Sequence, residues 1–291
     1  MKLVNVVVDG QEQCGIKIEE GICPIEKLID PPSDENWTIE RLIAHPVVLE
    51  QLNAALEKNA EKLKDAVISE QIVTYLPVVK SPGKLICIGK NYAEHAKETH
   101  DDIPESPIVF SKFSDSVAAH LDEVPLPTRS NQMDFEAELA IVIGKRGEDI
   151  PEDEALDYVF GYCNANDFSA RDLQFKSDQW LLGKTGKKMA PLGPYLVTAD
   201  SIADPQQLDI KLFVNGEQRQ ASNTQHMIFS CKYLIHYLSQ HFVLQPGDVI
   251  LTGTPEGVIL GEPAEQRQWL KAGDEVKVEI EQLGTLINTM K

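Results

Sequence analysis

Residues 134–144 read DFEAELAIVIG, and they constrain the fold more than any other stretch of the chain. Phe135, Ala137, Leu139, Ile141 and Ile143 recur at period two, as on one face of a β-strand. The other face begins with Asp134, Glu136 and Glu138 and then turns apolar at Ala140 and Val142. A strand that becomes apolar on both faces reads as a buried one. Side chains at i and i+2 share a face, so Glu136 and Glu138 project side by side, roughly 7 Å apart along the backbone. Two carboxylates at the mouth of a core repel each other and are costly to desolvate. A hard divalent cation (Mg²⁺, Mn²⁺ or Ca²⁺) is the usual remedy. A solvated strand end is the alternative, and spacing alone leaves both readings open.

The rest of the chain from about Leu76 has a similar texture. Short β-like runs alternate with turn signals: KLICIG, PIVFSKF, LDIKLFVNG, GDVILTG and DEVKVEI. Asn215-Gly216 predicts a hairpin turn, and Gly247-Asp248 and Gly273-Asp274 read as strand-opening turns. One helix is predicted over 226–242, with Ile228, Leu234, Ile235 and Leu238 as its apolar face. The fold class is therefore α+β, β-rich or barrel-like, and not a doubly wound sheet. Ahead of this lies a different block. A β-meander with turns at Asp9-Gly10 and Glu20-Gly21 runs to Pro31-Pro32. Residues 37–68 have helical composition, broken near His45-Pro46. Within them Gln51 to Val67 predicts an amphipathic helix with Leu52, Leu56, Leu63 and Val67 on one side. We expect a small α+β accessory domain over 1–75 and a catalytic domain over 76–291.

Charge excludes some partners. The 291 residues carry 46 acidic and 27 basic side chains, a formal net charge of −19. That field disfavours nucleic acid and anionic membranes, though one local cation can still bind a small anion. No apolar run approaches the ~20 residues of a membrane helix, and MKLVNVVVDGQEQ has no secretory character. The five cysteines are odd in number, widely spaced and without a CxxC pair. Neither a disulfide framework nor a zinc site follows, and each reads as a small buried hydrophobe. The expectation is a protein of the reducing cytoplasm.

Four further segments carry candidate chemistry. In NANDFSARDLQ (164–174), Asp167 follows the apolar run YVFGYC and offers a third oxygen ligand, while Arg171 and Asp172 read as a surface pair. In GKNYAEHAKE (89–98), His95 and Glu98 share a helical face, so Glu98 could orient His95 as a general base. An incidental pair on an exposed helix is the plainer reading. WLLGKTGKKMAPLGP (180–194) ends like a P-loop, but Asp178 stands where the first glycine is required. Its lysines suit an anion or a charge-balancing role. GDVILTGTPEGV (247–258) runs a strand into a loop whose N–H groups and hydroxyls at Thr252, Gly253 and Thr254 suit a carboxylate. GxSxG and HExxH are both absent.

Taken together and in this order, these motifs and PIVFSKFSDSV resemble the fumarylacetoacetate hydrolase family over roughly residues 76–280. The resemblance implies a mixed β-sandwich or β-roll, a homodimer, and Mg²⁺ or Mn²⁺ held by Glu136, Glu138 and Asp167. It implies a hydrolase acting on a C–C bond of an acylpyruvate or 2,4-dioxo acid, as in the breakdown of aromatic compounds. Decarboxylation of an oxaloacetate-like acid or a muconate-type isomerisation are the alternatives on the same site, since all pass through an enolate. A metal-containing binding protein on a degenerate scaffold is the reading from outside enzymology. His95 and Glu98 match the family's water-activating dyad and Lys184 its lysine near the metal. Tyr92, Arg171, Gln174 and Thr254 match substrate-contacting positions. Many relatives carry an aromatic or apolar residue and then Asp-Thr where this chain has Gly186, Lys187 and Lys188. Basic charge is therefore expected near the site.

Overall fold

The computed structural model describes residues 1–31, 36–59 and 66–291. Strands β1 (Lys2–Val8), β2 (Gln11–Ile18) and β3 (Gly21–Pro24) form the expected meander. Helices α1 (Ile39–Ala44) and α2 (Val48–Asn59) follow, and β4 (Thr74–Leu76) returns to pair with β1. The larger part opens with β5 (Leu85–Gly89), α3 (Ala93–Glu98) and β6 (Ile108–Lys112). The short strands β7 (Val117–Ala118), β8 (Glu123–Val124) and β9 (Met133–Asp134) lead into β10 (Ala137–Ile143). Next come β11 (Val159–Asn166), β12 (Ser169–Ala170), α4 (Arg171–Gln174), α5 (Leu181–Lys184) and β13 (Ala190–Thr198). The chain closes with β14 (Asp209–Val214), β15 (Glu217–Asn223), α6 (Cys231–Ser239), β16 (Val249–Leu251), β17 (Glu275–Ile280) and β18 (Gly284–Met290).

The main sheet runs β3-β2-β1-β13-β11-β10-β16-β5-β6, and a five-stranded sheet runs β15-β14-β17-β18-β8. β10 lies inside the main sheet between β11 and β16. Its double-sided apolar pattern has a direct cause. Ala137, Leu139, Ile141 and Ile143 belong to the core shared with the smaller sheet and α6. Ala140 and Val142 belong to a second core on the opposite face, with Trp37, Leu42 and Leu52 from the N-terminal segment. The first strands thus extend the main sheet through β1 and β13, and the helices after them cover its back.

Several expectations need adjusting. Glu136 lies just before β10, between β9 and β10 and outside either strand. The second meander turn is Glu19–Glu20, with Gly21 already the first residue of β3. Helix α6 is shorter than 226–242, because the Ser230 hydroxyl caps it by accepting the Tyr233 N–H at 3.2 Å. Ile228 is held outside it by donating its N–H to the Asn91 carbonyl. The break at His45–Val47 is present, but α2 is described only over Val48–Asn59. Leu63 lies outside the described residues, and Val67 is not helical. The two strand-opening turns do match: Gly247 and Gly273 take φ of +85° and +90°. Asp248 and Asp274 each accept the N–H three residues back, at 2.8 and 2.9 Å. All five cysteines are buried and free.

Candidate metal and catalytic site

The site forms where β10, β11 and the loop after β16 meet. One carboxylate oxygen each from Glu136, Glu138 and Asp167 lie within 4.8 Å of one another, and all three residues are buried. The backbone sets this geometry. Glu136 donates its N–H to the Asn166 side chain at 2.9 Å, and its carbonyl accepts the Asp167 N–H at 2.9 Å. The two residues that leave the strand ends are thereby locked together.

Three buried cations answer the carboxylates. Lys184 Nζ donates to Glu136 Oε2 at 2.7 Å and to Asp167 Oδ2 at 2.8 Å. Arg171 Nη1 lies 2.7 Å from Glu136 Oε1, and its Nε donates to Asp134 at 3.0 Å. Lys112 Nζ donates to Asp167 Oδ1 and, at 2.9 Å, to the Phe168 carbonyl. Four buried carboxylates (Asp134, Glu136, Glu138 and Asp167) therefore face three buried cations, which leaves one carboxylate charge without a cation. The group without a cation is Glu138, whose carboxyl oxygen accepts the Gly253 N–H at 2.7 Å. The titration behaviour follows. Burial alone would raise Glu136, but Lys184 and Arg171 outweigh it and hold its carboxyl down to about 2. Burial and the charges of Asp167 and Glu136 push Glu138 well above the carboxylate range. The uncompensated carboxylate and the hard oxygen donors fit a divalent cation.

Two glycines make the geometry possible. Gly253 takes φ of +96°, and a Cβ there would sit 2.7 Å from the Asn91 Cβ. Its backbone can turn its N–H onto Glu138 only because no side chain is present. Gly183 packs against the backbone of Gln174, which brings Lys184 beside the helix that carries Arg171.

A cavity of about 40 Å³ opens onto this cluster. His95, Glu136, Glu138, Arg171, Gln174, Lys184 and Thr254 all line it. His95 is buried, and its Nδ1 lies 2.9 Å from Glu98 Oε1. Glu98 is itself held by the Gly257 N–H at 2.9 Å. The dyad is thus neither exposed nor incidental. Gln174 accepts from Arg171 Nη1 at 3.0 Å, and Arg171 Nη2 is buried without a partner among the described residues. Thr254 Oγ1 accepts from Gln220 at 2.8 Å, which leaves its own proton to donate. The loop at 252–254 does grip a carboxylate, but the one it grips belongs to Glu138.

Three expectations are corrected. Tyr92 does not line the cavity; its ring is packed in the core, with its hydroxyl unpartnered among the described residues. Arg171 and Asp172 do not form a surface pair. Arg171 is buried on Asp134 and Glu136, while Asp172 accepts from Ser130 and Asn131. Lys187 and Lys188 bring no charge to the cavity, since Lys187 is exposed and Lys188 pairs with Asp122 at 2.8 Å. Sequence reasoning also missed Lys112. The available signal was alternation in β6, where Ile108, Phe110 and Lys112 share a face that ends buried.

A β-rich scaffold carrying three buried carboxylates beside an oriented histidine defines a candidate divalent-cation site of the kind enzymes use. The pattern of the fumarylacetoacetate (FAA) hydrolase C-terminal domain matches residues 84–291, and the chain belongs to the fumarylacetoacetate hydrolase family. It is 47% identical over 244 residues to the Homo sapiens protein named oxaloacetate tautomerase FAHD2A, mitochondrial, covering 82% of this chain and 77% of that one. The fumarylacetoacetate hydrolase structure from Exiguobacterium antarcticum superposes with a TM-score of 0.82 at 30% identity, covering 100% of this chain and 99% of that one. Maleylpyruvate hydrolase from Sphingobium sp. SYK-6, in complex with manganese(II) and pyruvate, gives 0.80 at 30% identity, covering 100% and 98%. The expectation of a cytoplasmic protein is overturned, because the vertebrate tautomerases that match are named as mitochondrial. No helix among the described residues is long and apolar enough to cross a membrane.

Proposed function

We propose that this chain interconverts the keto and enol forms of a short 2-oxo acid of the oxaloacetate type, with a divalent cation, Mg²⁺ or Mn²⁺, held by Glu136, Glu138 and Asp167. The observation that carries this is the buried carboxylate triad, one member of which has no cation, with Glu136 and Glu138 lining the same cavity as His95 and Arg171. The cation supplies Lewis acidity toward a 2-oxo carboxylate. The unpartnered Arg171 Nη2 and the free Thr254 proton are the anchors for the substrate carboxylate, with Gln174 holding the guanidinium in place. Glu98 engages His95 Nδ1, which leaves Nε2 as the nitrogen free to take a proton. His95 takes a proton from C3, the negative charge moves to the 2-oxygen, and return of that proton from His95 to the 2-oxygen completes the enol. Lys184, cationic beside Glu136 and Asp167, stabilises the charge as it develops. One proton leaves and one returns, and no water is consumed.

The names of the vertebrate relatives support tautomerisation over hydrolysis. The Sphingobium hydrolase supports acylpyruvate cleavage as the second reading, in which the same His95 activates a water. Homodimeric assembly, the absence of a nucleic-acid partner, and the division at residues 75/76 are parts of the same proposal. The test follows ketonisation of enol-oxaloacetate by its ultraviolet absorbance, alongside product analysis with oxaloacetate and acetylpyruvate. We expect fast ketonisation without acetate from acetylpyruvate, and His95→Ala should lose it while retaining metal. Acetate and pyruvate from acetylpyruvate would favour the hydrolase, and full activity in His95→Ala would reject it as the base.

A further inference from the structure

Lys90 follows β5 directly and lines the same cavity as His95 and Arg171. Its φ of +55° is a left-handed conformation that non-glycine residues rarely adopt. The side chain is 23% exposed, with Nζ 2.7 Å from Asp101 Oδ1 and 5.9 Å from the centre of the Trp180 ring. Asp101 Oδ2 accepts the Thr99 hydroxyl at 2.8 Å, and that hydroxyl also lies 3.0 Å from the His95 carbonyl. Thr99, Asp101 and Trp180 all line the cavity as well. The cavity wall therefore also carries an ammonium, paired with Asp101, besides the cations of the carboxylate cluster. Lys184 and Arg171 are each committed to two buried carboxylates. Lys90 is committed to one, and Asp101 is 36% exposed, so water can take over that carboxylate.

We propose that Lys90 recognises the distal carboxylate of a 2-oxo dicarboxylic acid and makes the enzyme selective for such acids over monocarboxylic ones. The inference rests on the reading of the site as a 2-oxo acid enzyme and names the substrate class within it. With the 2-oxo end on Arg171 and Thr254, a second carboxylate is left to the rest of the cavity, where Lys90 is held against Trp180. Asp101 holds the ammonium in place when no substrate is bound, and it competes for Lys90 when substrate arrives. An ordinary rim ion pair would have no substrate preference at all.

The metal-loaded protein is compared with its Lys90→Met, Lys90→Arg and Asp101→Asn variants. Kinetics use oxaloacetate and the monocarboxylate 2-oxobutyrate, both read as hydrogen exchange at C3 by NMR. Calorimetry with oxalate, which lacks a distal carboxylate, and with oxaloacetate needs no turnover. Lys90→Met should lower kcat/KM for oxaloacetate by about 10- to 100-fold, the scale of a lost charged hydrogen bond, through KM rather than kcat. 2-Oxobutyrate turnover and oxalate binding should stay within about twofold, the scatter of a substitution that removes no ligand contact. Lys90→Arg should restore most of the loss, and Asp101→Asn should tighten oxaloacetate while leaving oxalate unchanged. Equal loss on both substrates, or no loss on either, overturns the proposal. If the wild type turns over no 2-oxo acid, the reading of the site fails separately. Calorimetry then decides Lys90, and an oxaloacetate affinity unchanged by Lys90→Met overturns it.

Discussion

Replacing Glu138 with Gln should make the metal-free protein more stable and the metal-loaded protein less so. The oxygens of Glu136, Glu138 and Asp167 lie within 4.8 Å of one another, and two like charges at that distance repel by about 3 kcal/mol at an effective permittivity near 20. Lys184 offsets part of this repulsion, and protonation of Glu138 relieves more. Burial and the charges of Asp167 and Glu136 raise its pKa well above the carboxylate range. The folded, metal-free protein thus keeps on Glu138 a proton that the unfolded chain releases above a pH of about 4.3. The native state binds more protons there, so stability falls as pH rises from the unfolded value through the raised one. Glu138→Gln removes that penalty and keeps an acceptor for the Gly253 N–H. The expected gain at pH 8 in chelator is about 1–3 kcal/mol, or a Tm higher by about 2–6 °C. In the wild type, free metal at a hundred times Kd should add about 2.7 kcal/mol, and the variant should lose most of that increment. Thermal unfolding by calorimetry, in chelator and across a Mg²⁺ or Mn²⁺ titration at pH 6 and pH 8, reads both effects. A variant that melts lower than wild type in chelator, or that keeps the full metal response, refutes the charge argument.

Other perturbations test neighbouring parts of the account. Lys112→Met would leave the buried Asp167 carboxylate only Lys184, which it shares with Glu136, and should cost about 1–3 kcal/mol in urea unfolding; a near-neutral value would show that Lys112 is not a counter-charge of Asp167. Gly253→Ala should cost about 1–3 kcal/mol and weaken metal binding, since alanine must strain the φ of +96° that aims the N–H at Glu138. At His120, burial lowers the pKa from 6.5 to about 4 despite Glu70, and its Nδ1 accepts the Ile287 N–H at 3.1 Å. Between those values the unfolded chain binds the extra proton. The stability is therefore intact above pH 6.5 and lost as pH falls toward 4, by at most about 3 kcal/mol. His120→Phe should flatten that acid limb in pH-dependent unfolding, and an unchanged limb would assign it elsewhere.

The elements most legible in the sequence were those whose pattern has a local cause. Asn215-Gly216 takes φ of +51° and +83° in the β14–β15 hairpin, as a two-residue turn requires. β10 could be recognised because both of its faces are apolar, and both are indeed covered. His95 and Glu98 were legible as a helical pair, but the burial of His95 and the hold of the remote Gly257 N–H on Glu98 were not. The amphipathic pattern of Gln51–Val67 did not mark where that helix ends. Lys112 escaped notice, and Asp134 was read only as part of the strand's polar face, because their partners are remote in sequence. Lys112 pairs with a carboxylate 55 positions away, and Asp134 accepts N–H groups from Ile259 and Leu260 in a distant loop. Neither partner has a fixed sequence spacing to read. Lys187 and Lys188 show the converse: adjacency to Lys184 in the chain does not carry them into the site.

The most direct test of the central claim is the rate of enol-oxaloacetate ketonisation in the presence of Mg²⁺ or Mn²⁺, for wild type and for Glu136→Ala and Glu138→Ala with metal content measured in parallel. The account predicts a rate far above buffer that is abolished by chelator and restored by metal. Both variants should lose metal and activity together. A wild-type rate equal to buffer, a rate unaffected by complete metal removal, or variants that keep their metal would contradict it.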